Sequence, residues 1–366
     1  TGNVNINLAG TVGAVGGGTA LGGITGNNVT LNVGDTIGGV TYLGGTNVTA
    51  KTSATVTASS LQNNAIDIAA LATSTALAVT YTGGILNDTV TVTGVTSNTS
   101  ISVAGGFDIG TNTLALDGGL ATAAQALTIT ATGYDIATIT GGDAVDTVVG
   151  AAGADVFVVT LATDFDAGES FTGGTGTDTL FLDEAAVYDL TNIAAAKDNL
   201  VTEAAVEQLI VTHTAVTLDE AISGTALKIN TDGAVTLAMT VTMVGTTFDA
   251  SSFTFTAMAT ATSAATETAL AAGDDSFQIT GTTGGDVITT SLLGDTVFVA
   301  TTGAADSDTM TGGAGTDTLN LTGAAHVFAT DSQLSAFEAI TLVGTAGVNL
   351  TGQTEAFAIT GSNAIN

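Results

Sequence analysis

The chain of 366 residues contains no cysteine, no proline and no tryptophan. Without cysteine, disulfide bridges and thiol chemistry are excluded. Without proline, the sequence has no residue that would interrupt the hydrogen-bond ladder inside a strand. Without tryptophan, it lacks an aromatic side chain on which sugar-binding sites often rely. These absences limit the kinds of cross-link, reaction and binding site that the chain can form.

Basic residues are almost as scarce. Three lysines (Lys51, Lys197 and Lys228) stand against 34 acidic residues, and the formal net charge is −31. Nucleic acids and anionic membranes need cationic contacts, so the charge balance argues against both as partners. No apolar stretch reaches the length of a membrane-spanning helix, so the chain is expected not to span a membrane. The charge favours cations as ligands, with an acidic surface kept for solubility as the alternative explanation.

The apolar content is high enough for a folded chain. Hydrophobic residues make up 45% of the sequence, which excludes the composition typical of disorder. Many short segments alternate apolar and polar residues, as residues 29–33 and 89–92 do, and are separated by Gly, Asn and Asp. This pattern predicts strands joined by tight turns. The first seven residues already alternate in this way and have no secretory-signal pattern, so the sequence is expected to be an internal piece or a processed form.

A nine-residue phrase of glycines, an aspartate and a short apolar segment recurs through the chain. A glycine-rich turn that ends in an aspartate and leads into a three-residue strand is typical of a parallel β-solenoid. The six copies cover residues 141–149, 150–158 and 173–181, and then 281–289, 290–298 and 312–320.

The two groups of three phrases belong to a longer internal duplication. Residues 139–141 and 279–281 are both Ile-Thr-Gly. After each group, a spacer leads to a glutamate that directly precedes another predicted strand, Glu207 in the first copy and Glu338 in the second. Order, spacing and residue type therefore agree between the copies.

Residues 173–181 and 312–320 match the pattern GGxGxDxUx at nearly every position. Here the sequence resembles the RTX nonapeptide family, whose loops bind calcium. The resemblance implies a β-roll in which an ion lies between turns on the same edge, two nonapeptides apart. Applied to this chain, Asp146 would share an ion with Asp178, and Asp286 with Asp317, if the inserts between the phrases loop out.

The resemblance also implies a set of calcium ligands. Carboxylates and backbone carbonyls of glycine-rich turns supply the hard oxygens that Ca²⁺ prefers. Hydrogen-bonded turn capping is the alternative role for the repeat-end aspartates, and a solvated loop is the alternative for acids of the inserts. The repeat-end candidates are Asp146, Asp155, Asp178, Asp286, Asp295 and Asp317, and the insert candidates are Asp164, Asp166, Glu169, Asp306 and Asp308.

The expected fold is all-β, with parallel β-solenoid (β-roll) modules, additional β-sheet or sandwich-like segments, and one or two short helices. Helical character is expected over residues 60–77, over the spacer 185–205 and at the start of 330–334, where a side-chain oxygen can cap the backbone. The predicted domains are a Gly/Thr-rich β domain (1–137), a first RTX-like module (138–278) and a second RTX-like module (279–366).

Motifs for catalysis are missing. His213 and His326 are the only histidines, and neither lies in an H-E-x-x-H arrangement. The sequence has no G-x-S-x-G elbow, and a carboxylate pair for glycoside hydrolysis is left open because acids are plentiful. The chain is predicted not to be an enzyme.

The composition adds a functional expectation. Bacterial surface-layer proteins of the RTX type are rich in Ala, Thr and Gly, lack cysteine, are acidic and are secreted by a type I system, and this sequence resembles them. The resemblance implies a calcium-stabilised structural subunit that self-assembles on the bacterial cell surface, with other copies and cell-surface polysaccharide as partners. A segment of a large calcium-dependent RTX adhesin or biofilm-matrix protein is the alternative, and the non-catalytic secretion domain of an RTX enzyme is a third.

Overall fold

The structure is a computed structural model. It describes residues 4–8, 24–33, 46–57, 65–70, 77–82, 88–93, 99–104, 113–117, 127–133, 136–141, 145–150, 152–159, 168–182, 188–193, 199–212, 215–232, 237–258, 267–269, 276–282, 284–301, 307–323 and 325–361.

The chain forms two compact units. The first comprises Thr1–Glu184, Asn192–Lys197 and Glu203–Gln208, and the second comprises Ala185–Thr191, Asp198–Thr202 and Leu209–Asn366. The division of the chain at residues 137 and 278 stays a prediction.

The first unit contains fourteen described strands. They are β1 (Val4–Leu8), β2 (Ile24–Val33), β3 (Thr46–Thr57), β4 (Ala65–Ala70), β5 (Leu77–Thr82), β6 (Asp88–Thr93), β7 (Thr99–Ala104), β8 (Thr113–Asp117), β9 (Leu127–Thr132), β10 (Ile136–Thr140), β11 (Thr147–Val149), β12 (Val156–Val159), β13 (Ser170–Thr172) and β14 (Thr179–Leu182).

Consecutive strands of the first unit alternate between two parallel stacks. The long strand β3 pairs through Thr46–Ala50 with β4 and through Ser53–Thr57 with β5, so both stacks start from it. From there one stack, the even stack, runs β4–β6–β8–β10–β12–β14, and the other, the odd stack, runs β5–β7–β9–β11–β13. Each coil therefore supplies one strand to each stack. This is a parallel β-solenoid, and the predicted all-β fold class is confirmed.

The coil length follows the repeat. Ala137 and Asp155, which lie one coil apart, are separated by 18 residues, or two nine-residue phrases. Asp155 and Asp178, one coil further on, are separated by 23 residues. The insert between the phrases thus lengthens the coil without interrupting the solenoid.

The core of the first unit is a thin layer of apolar side chains between the stacks. In β5 buried and exposed positions alternate, because successive side chains point to opposite faces of a strand. The buried residues lie above one another, for example Ile101, Ile129 and Val148. Phe157 and Phe171 from opposite stacks meet with their ring centroids 5.7 Å apart. Stacked apolar columns therefore hold the two sheets together.

The remaining described strands begin at residue 188. They are β15 (Tyr188–Asp189), β16 (Gln208–Val211), β17 (Ala215–Leu218), β18 (Lys228–Asp232), β19 (Ala238–Thr242), β20 (Thr247–Asp249), β21 (Thr254–Met258), β22 (Glu267–Ala269), β23 (Ser276–Thr280), β24 (Val287–Thr289), β25 (Thr296–Thr301), β26 (Thr309–Thr311), β27 (Thr318–Gly323), β28 (Ala325–Val327), β29 (Leu334–Ser335), β30 (Ala339–Val343), β31 (Gly347–Asn349) and β32 (Ala358–Gly361).

The second unit repeats the architecture. One parallel sheet runs β15–β17–β19–β23–β25–β27–β30–β32, and a second runs β20–β24–β26–β29. A cluster of aromatic side chains fills its interior, in which Phe253 and Phe277 have ring centroids 5.6 Å apart and Phe248 packs edge-on against Phe253. The pair β21–β22 is antiparallel.

Helical structure within the described residues is limited to three single turns of 3-10 helix. They cover Leu190–Asn192, Glu220–Ile222 and Asp331–Gln333. The predicted helix start at residues 330–334 is confirmed as the last of these, which has a capping box between Thr330 and Gln333. No helix in the described parts of the chain has the length and apolar character needed to cross a membrane.

The helix expected over residues 60–77 is wrong for the part that the structure describes. Ala65–Ala70 forms β4, in which Ile66 and Ile68 are fully buried. These two isoleucines are two residues apart, which places them on one face of a strand. Pairing with β3 and β6 on either side decides the conformation over a weak helical pattern.

Candidate metal centre

The predicted ligands occupy one kind of position. Each described candidate is the residue directly before a strand, and each is at most 1% exposed. Burial of a carboxylate is costly unless hydrogen bonds or a cation compensate for it. Asp164, Asp166 and Asp306 lie outside the described residues. The described candidates are Asp146, Asp155, Glu169, Asp178, Asp286, Asp295, Asp308 and Asp317.

In the first unit, three acids are linked by hydrogen bonds from coil to coil. Asp155 Oδ1 accepts the backbone N–H of Ala137 at 2.6 Å. Asp178 Oδ1 accepts the N–H of Asp155 at 2.8 Å, and Glu207 Oε2 accepts the N–H of Asp178 at 2.9 Å. Asp155, Asp178 and Glu207 form the first acidic ladder. Each carboxylate binds the backbone of the coil before it, which fixes the register between successive coils.

The second unit contains the same arrangement. Asp295 Oδ1 accepts the N–H of Phe277 at 2.9 Å. Asp317 Oδ1 accepts the N–H of Asp295, and Glu338 Oε2 accepts the N–H of Asp317, both at 2.7 Å. Asp295, Asp317 and Glu338 form the second acidic ladder. The duplication seen in the sequence is therefore retained atom by atom in the hydrogen bonding.

The other edge of each solenoid carries a shorter ladder, which consists of two acids. Glu169 Oε1 accepts the N–H of Asp146 at 2.9 Å, and Asp308 Oδ1 accepts the N–H of Asp286 at 2.8 Å. The insert acids Glu169 and Asp308 thus play the same part as the aspartates of the phrases.

The expected sharing of ions between Asp146 and Asp178, and between Asp286 and Asp317, is wrong. Those pairings required the inserts to loop out of the solenoid. Each insert instead ends in a strand of its own, β13 after Glu169 and β26 after Asp308. The extra half coil places the partners in different stacks, since β11 pairs with β13 and β12 with β14.

In the phrases that open with Gly141, Gly150, Gly173 and Gly281, the opening glycine makes room for the buried carboxylate. A Cβ atom added to Gly141 would lie 2.8 Å from Asp146 Oδ2, and one added to Gly281 would lie 2.6 Å from Asp286 Oδ2. A Cβ on Gly173 would likewise collide with Asp178 Oδ2. Glycine is thus required because the carboxylate folds back against the start of its own turn.

In the second unit, the aspartates of the two degenerate phrases have a hydroxyl donor that the aspartate of the near-complete phrase lacks. The residue four positions before the aspartate supplies it: Thr282 donates to Asp286 Oδ1 at 2.6 Å, and Ser291 donates to Asp295 Oδ2 at 2.8 Å. In the first unit the equivalent residues before Asp146 and Asp155 are Gly142 and Ala151, which have no hydroxyl. In the near-complete phrases that residue is glycine, Gly174 and Gly313.

In the near-complete phrases the second oxygen has no donor. Among the described residues, the fully buried Asp178 Oδ2 and Asp317 Oδ2 have no hydrogen-bond partner. Where the sequence follows the calcium-binding pattern most closely, an internal donor is therefore missing.

Burial dominates the electrostatics of these two groups. It raises the pKa of Asp178 to about 6, an effect that the N–H of Asp155 opposes and the charges of Asp155 and Glu207 reinforce. Burial raises the pKa of Asp317 to about 7, with Asp295 and Glu338 as the corresponding neighbours. Both carboxyl groups are thus poised to hold a proton or a cation near neutral pH.

Calcium fits these two positions in part. Ala205 O and Asp178 Oδ2 both face the point where a side chain on Gly173 would start, and Ala336 O occupies the equivalent place beside Gly312. Carboxylate and carbonyl oxygens are the ligands that Ca²⁺ takes. The described residues contain no group of three or more acidic, histidine or cysteine side chains suited to a metal. An ion would therefore need backbone carbonyls and water to complete its shell.

Two ladder members were not among the predicted ligands. Glu207 and Glu338 end the ladders, and their common position before a returning strand was the available sequence signal. His326, by contrast, is buried in β28 with Nε2 2.9 Å from the carbonyl oxygen of Thr322, and it stacks on Phe328. Its role there is structural packing. His213 lies outside the described residues.

The fold defines the class of protein as a parallel β-solenoid with buried acidic ladders. No protein-family model, no curated protein and no solved structure matches the chain.

Proposed function

We propose that the chain is a calcium-stabilised structural subunit of a bacterial surface layer or extracellular filament. The observation that carries the proposal is the pair of fully buried, unpartnered oxygens, Asp178 Oδ2 and Asp317 Oδ2, in the two phrases closest to the calcium-binding pattern.

Charge supports a cation at these positions. Asp178 lies between Asp155 and Glu207 in its ladder, and Asp317 lies between Asp295 and Glu338. A buried ionised carboxylate beside other acids is costly, and a divalent cation removes that cost. Asp178 and Asp317 would hold the ion with backbone carbonyl oxygens such as those of Ala205 and Ala336. Because the unfolded chain has no such arrangement, metal binding would stabilise the fold.

The architecture supports a role as a self-assembling structural subunit. The ends of a solenoid expose unpaired backbone N–H and C=O groups, which can pair with another chain unless they are blocked. Proline and lysine commonly block such edges, and this chain has no proline and three lysines. Electrostatic repulsion at a net charge of −31 is what keeps copies apart, and bound calcium lowers it locally. Assembly would then follow exposure to calcium.

A calcium titration of the purified protein tests the proposal. Light scattering and negative-stain imaging are expected to show ordered sheets or fibres with calcium and dispersed protein with a chelator. Protein that binds calcium but stays monomeric at high concentration would refute the subunit role, and the adhesin segment would become the better interpretation.

A further inference from the structure

The outward surface of β2, of the second half of β3 and of the odd stack is an array of short side chains, nearly all with a hydroxyl, in two columns. They lie on alternate positions of successive strands, and the parallel register aligns them from coil to coil. The array will be called the hydroxyl face. One column is Ser53, Ala78, Ser100, Thr128, Thr147 and Ser170, and the other is Thr30, Thr55, Thr80, Ser102, Thr130, Val149 and Thr172.

The hydroxyl face carries no charge. Apart from Ala78 and Val149, every position in the two columns is serine or threonine, in a chain whose formal net charge is −31. The outward positions of the even stack differ, because Asp67 pairs there with Thr91. Ala78, Thr80, Ser100, Ser102, Thr128 and Thr147 are exposed.

We infer that the hydroxyl face is the surface on which a second copy of this chain docks, face to face, within the assembly. The inference rests on the proposed function and adds the location of a contact between subunits. Two copies repel wherever carboxylates meet, and like charges across an interface oppose association. The hydroxyl face avoids that cost. Short side chains also let two sheets approach to about 10 Å, the ordinary distance for packed sheets.

The composition of the face favours this occupant. The two columns lie two residues apart, and over seven strands about 4.8 Å apart they cover roughly 300 Å². A stable interface buries about 800 Å² on each partner, so the hydroxyl face would form the centre of a contact that extends over neighbouring residues of the same strands. The face has no aromatic residue on which a sugar ring would stack and no base to bind an anion. A second copy is therefore favoured over a saccharide or an acidic partner.

The test compares charge substitutions on the two outward surfaces. Thr80→Glu and Ser102→Glu place a carboxylate at the centre of the hydroxyl face, and Thr89→Glu and Thr138→Glu place the same charge at exposed positions of the even stack. In sedimentation velocity with calcium, the first pair should raise the concentration needed for assembly about tenfold or more, while the second pair should behave as the wild type. Equal behaviour of the two pairs would overturn the inference.

Cross-linking gives a second readout that does not depend on tolerance of a buried charge. The chain has no cysteine, so Thr80→Cys or Ser102→Cys introduces a single thiol. A short bis-maleimide should link copies of these variants in calcium and should not link Thr138→Cys. Equal linking of all three variants, or none with Thr80→Cys and Ser102→Cys, would contradict face-to-face docking.

Two further outcomes distinguish failure of the proposed function from failure of the inference about the hydroxyl face. Wild-type protein that never assembles would refute the proposed function itself. Binding of cell-surface polysaccharide that Thr80→Glu abolishes, with assembly unchanged, would assign the face to a saccharide and overturn the inference alone.

Discussion

In the second unit, a side-chain hydroxyl separates the degenerate phrases from the near-complete one. Ser291 gives Asp295 Oδ2 two donors, its backbone N–H and its hydroxyl, each at 2.8 Å. Gly313, at the same place in the next phrase, has no hydroxyl to give Asp317. A buried acceptor without a donor is destabilising unless something else occupies it. At Asp317, the glycine at this position therefore leaves a buried oxygen for a proton or a metal ion to satisfy.

The raised pKa values predict how the metal-free protein responds to pH. The unfolded pKa of Asp178 and Asp317 is 3.8, and the folded values are about 6 and about 7. The folded protein binds these protons more tightly, so their contribution to stability is fully present below the unfolded pKa and is lost as pH rises through the folded values. In chelator, the contribution of these two carboxyl groups is expected to make the melting temperature higher at about pH 4.5 than at about pH 7.5.

Asparagine variants isolate this effect from general charge repulsion. Asp178→Asn and Asp317→Asn keep an oxygen for the N–H of Asp155 or Asp295 and have no proton to lose, so each should flatten the pH dependence in chelator. Asp249→Asn is the control, because the Asp249 carboxylate accepts only a local hydrogen bond, from the backbone N–H of Ser251, in the described structure. The same pH profile in all three variants would mean that bulk repulsion, and not the ladders, controls it.

At the scale of the elements, the turns set the distance between coils. Gly315 has φ +124°, and a Cβ there would collide with the carbonyl oxygen of Leu293 in the coil before it. Gly176 stands in the same relation to Gly153 in the first unit. Backbone therefore packs directly on backbone where successive turns stack.

Alanine substitutions should show this contact. Gly315→Ala combines an unfavourable φ with the clash and should lower the free energy of unfolding by about 2 to 4 kcal/mol. Gly344→Ala is the matched control, since Gly344 also has a positive φ, +70°, but nothing lies within 4 Å of the added atom, and it should cost about 1 kcal/mol. Urea denaturation of both variants measures the difference. Equal losses would show that conformation alone, and not the stacking of turns, is responsible.

The repeat in the sequence predicted the solenoid because turn and strand chemistry recur at a fixed interval. Nine residues form one half coil, so the strands after Asp146, Asp155 and Asp178 could be located in advance. The parallel pairing of β10 with β12 confirms the expected two phrases per coil.

The pairing of the acids could not be predicted in the same way. The insert before Glu169 hides a strand of three residues, Ser170–Thr172, with one apolar side chain, and so short a segment shows no period. A half coil was therefore missed, and with it the stacking of Asp146 on Glu169. Likewise, weak helical spacing in residues 60–77 gave no sign of the neighbouring strands that hold β4 in place.

At the scale of the whole molecule, repulsion among 34 acidic residues opposes the folded state, and three lysines can offset little of it. Apolar columns and buried hydrogen bonds hold the coils together against this repulsion. Calcium at Asp178 and Asp317 would add charge compensation in each of the two units. Magnesium should replace it poorly, because Mg²⁺ is smaller and gives up its water reluctantly.

Thermal unfolding followed by circular dichroism, with calcium, with magnesium and with a chelator, tests the central claim most directly. Calcium is expected to raise the melting temperature at neutral pH and to preserve the β-sheet signal, with a smaller effect of magnesium. In Asp178→Ala and Asp317→Ala the calcium effect should shrink, while in Asp249→Ala it should be as large as in the wild type. The same melting temperature of the wild type in calcium and in chelator would contradict the account.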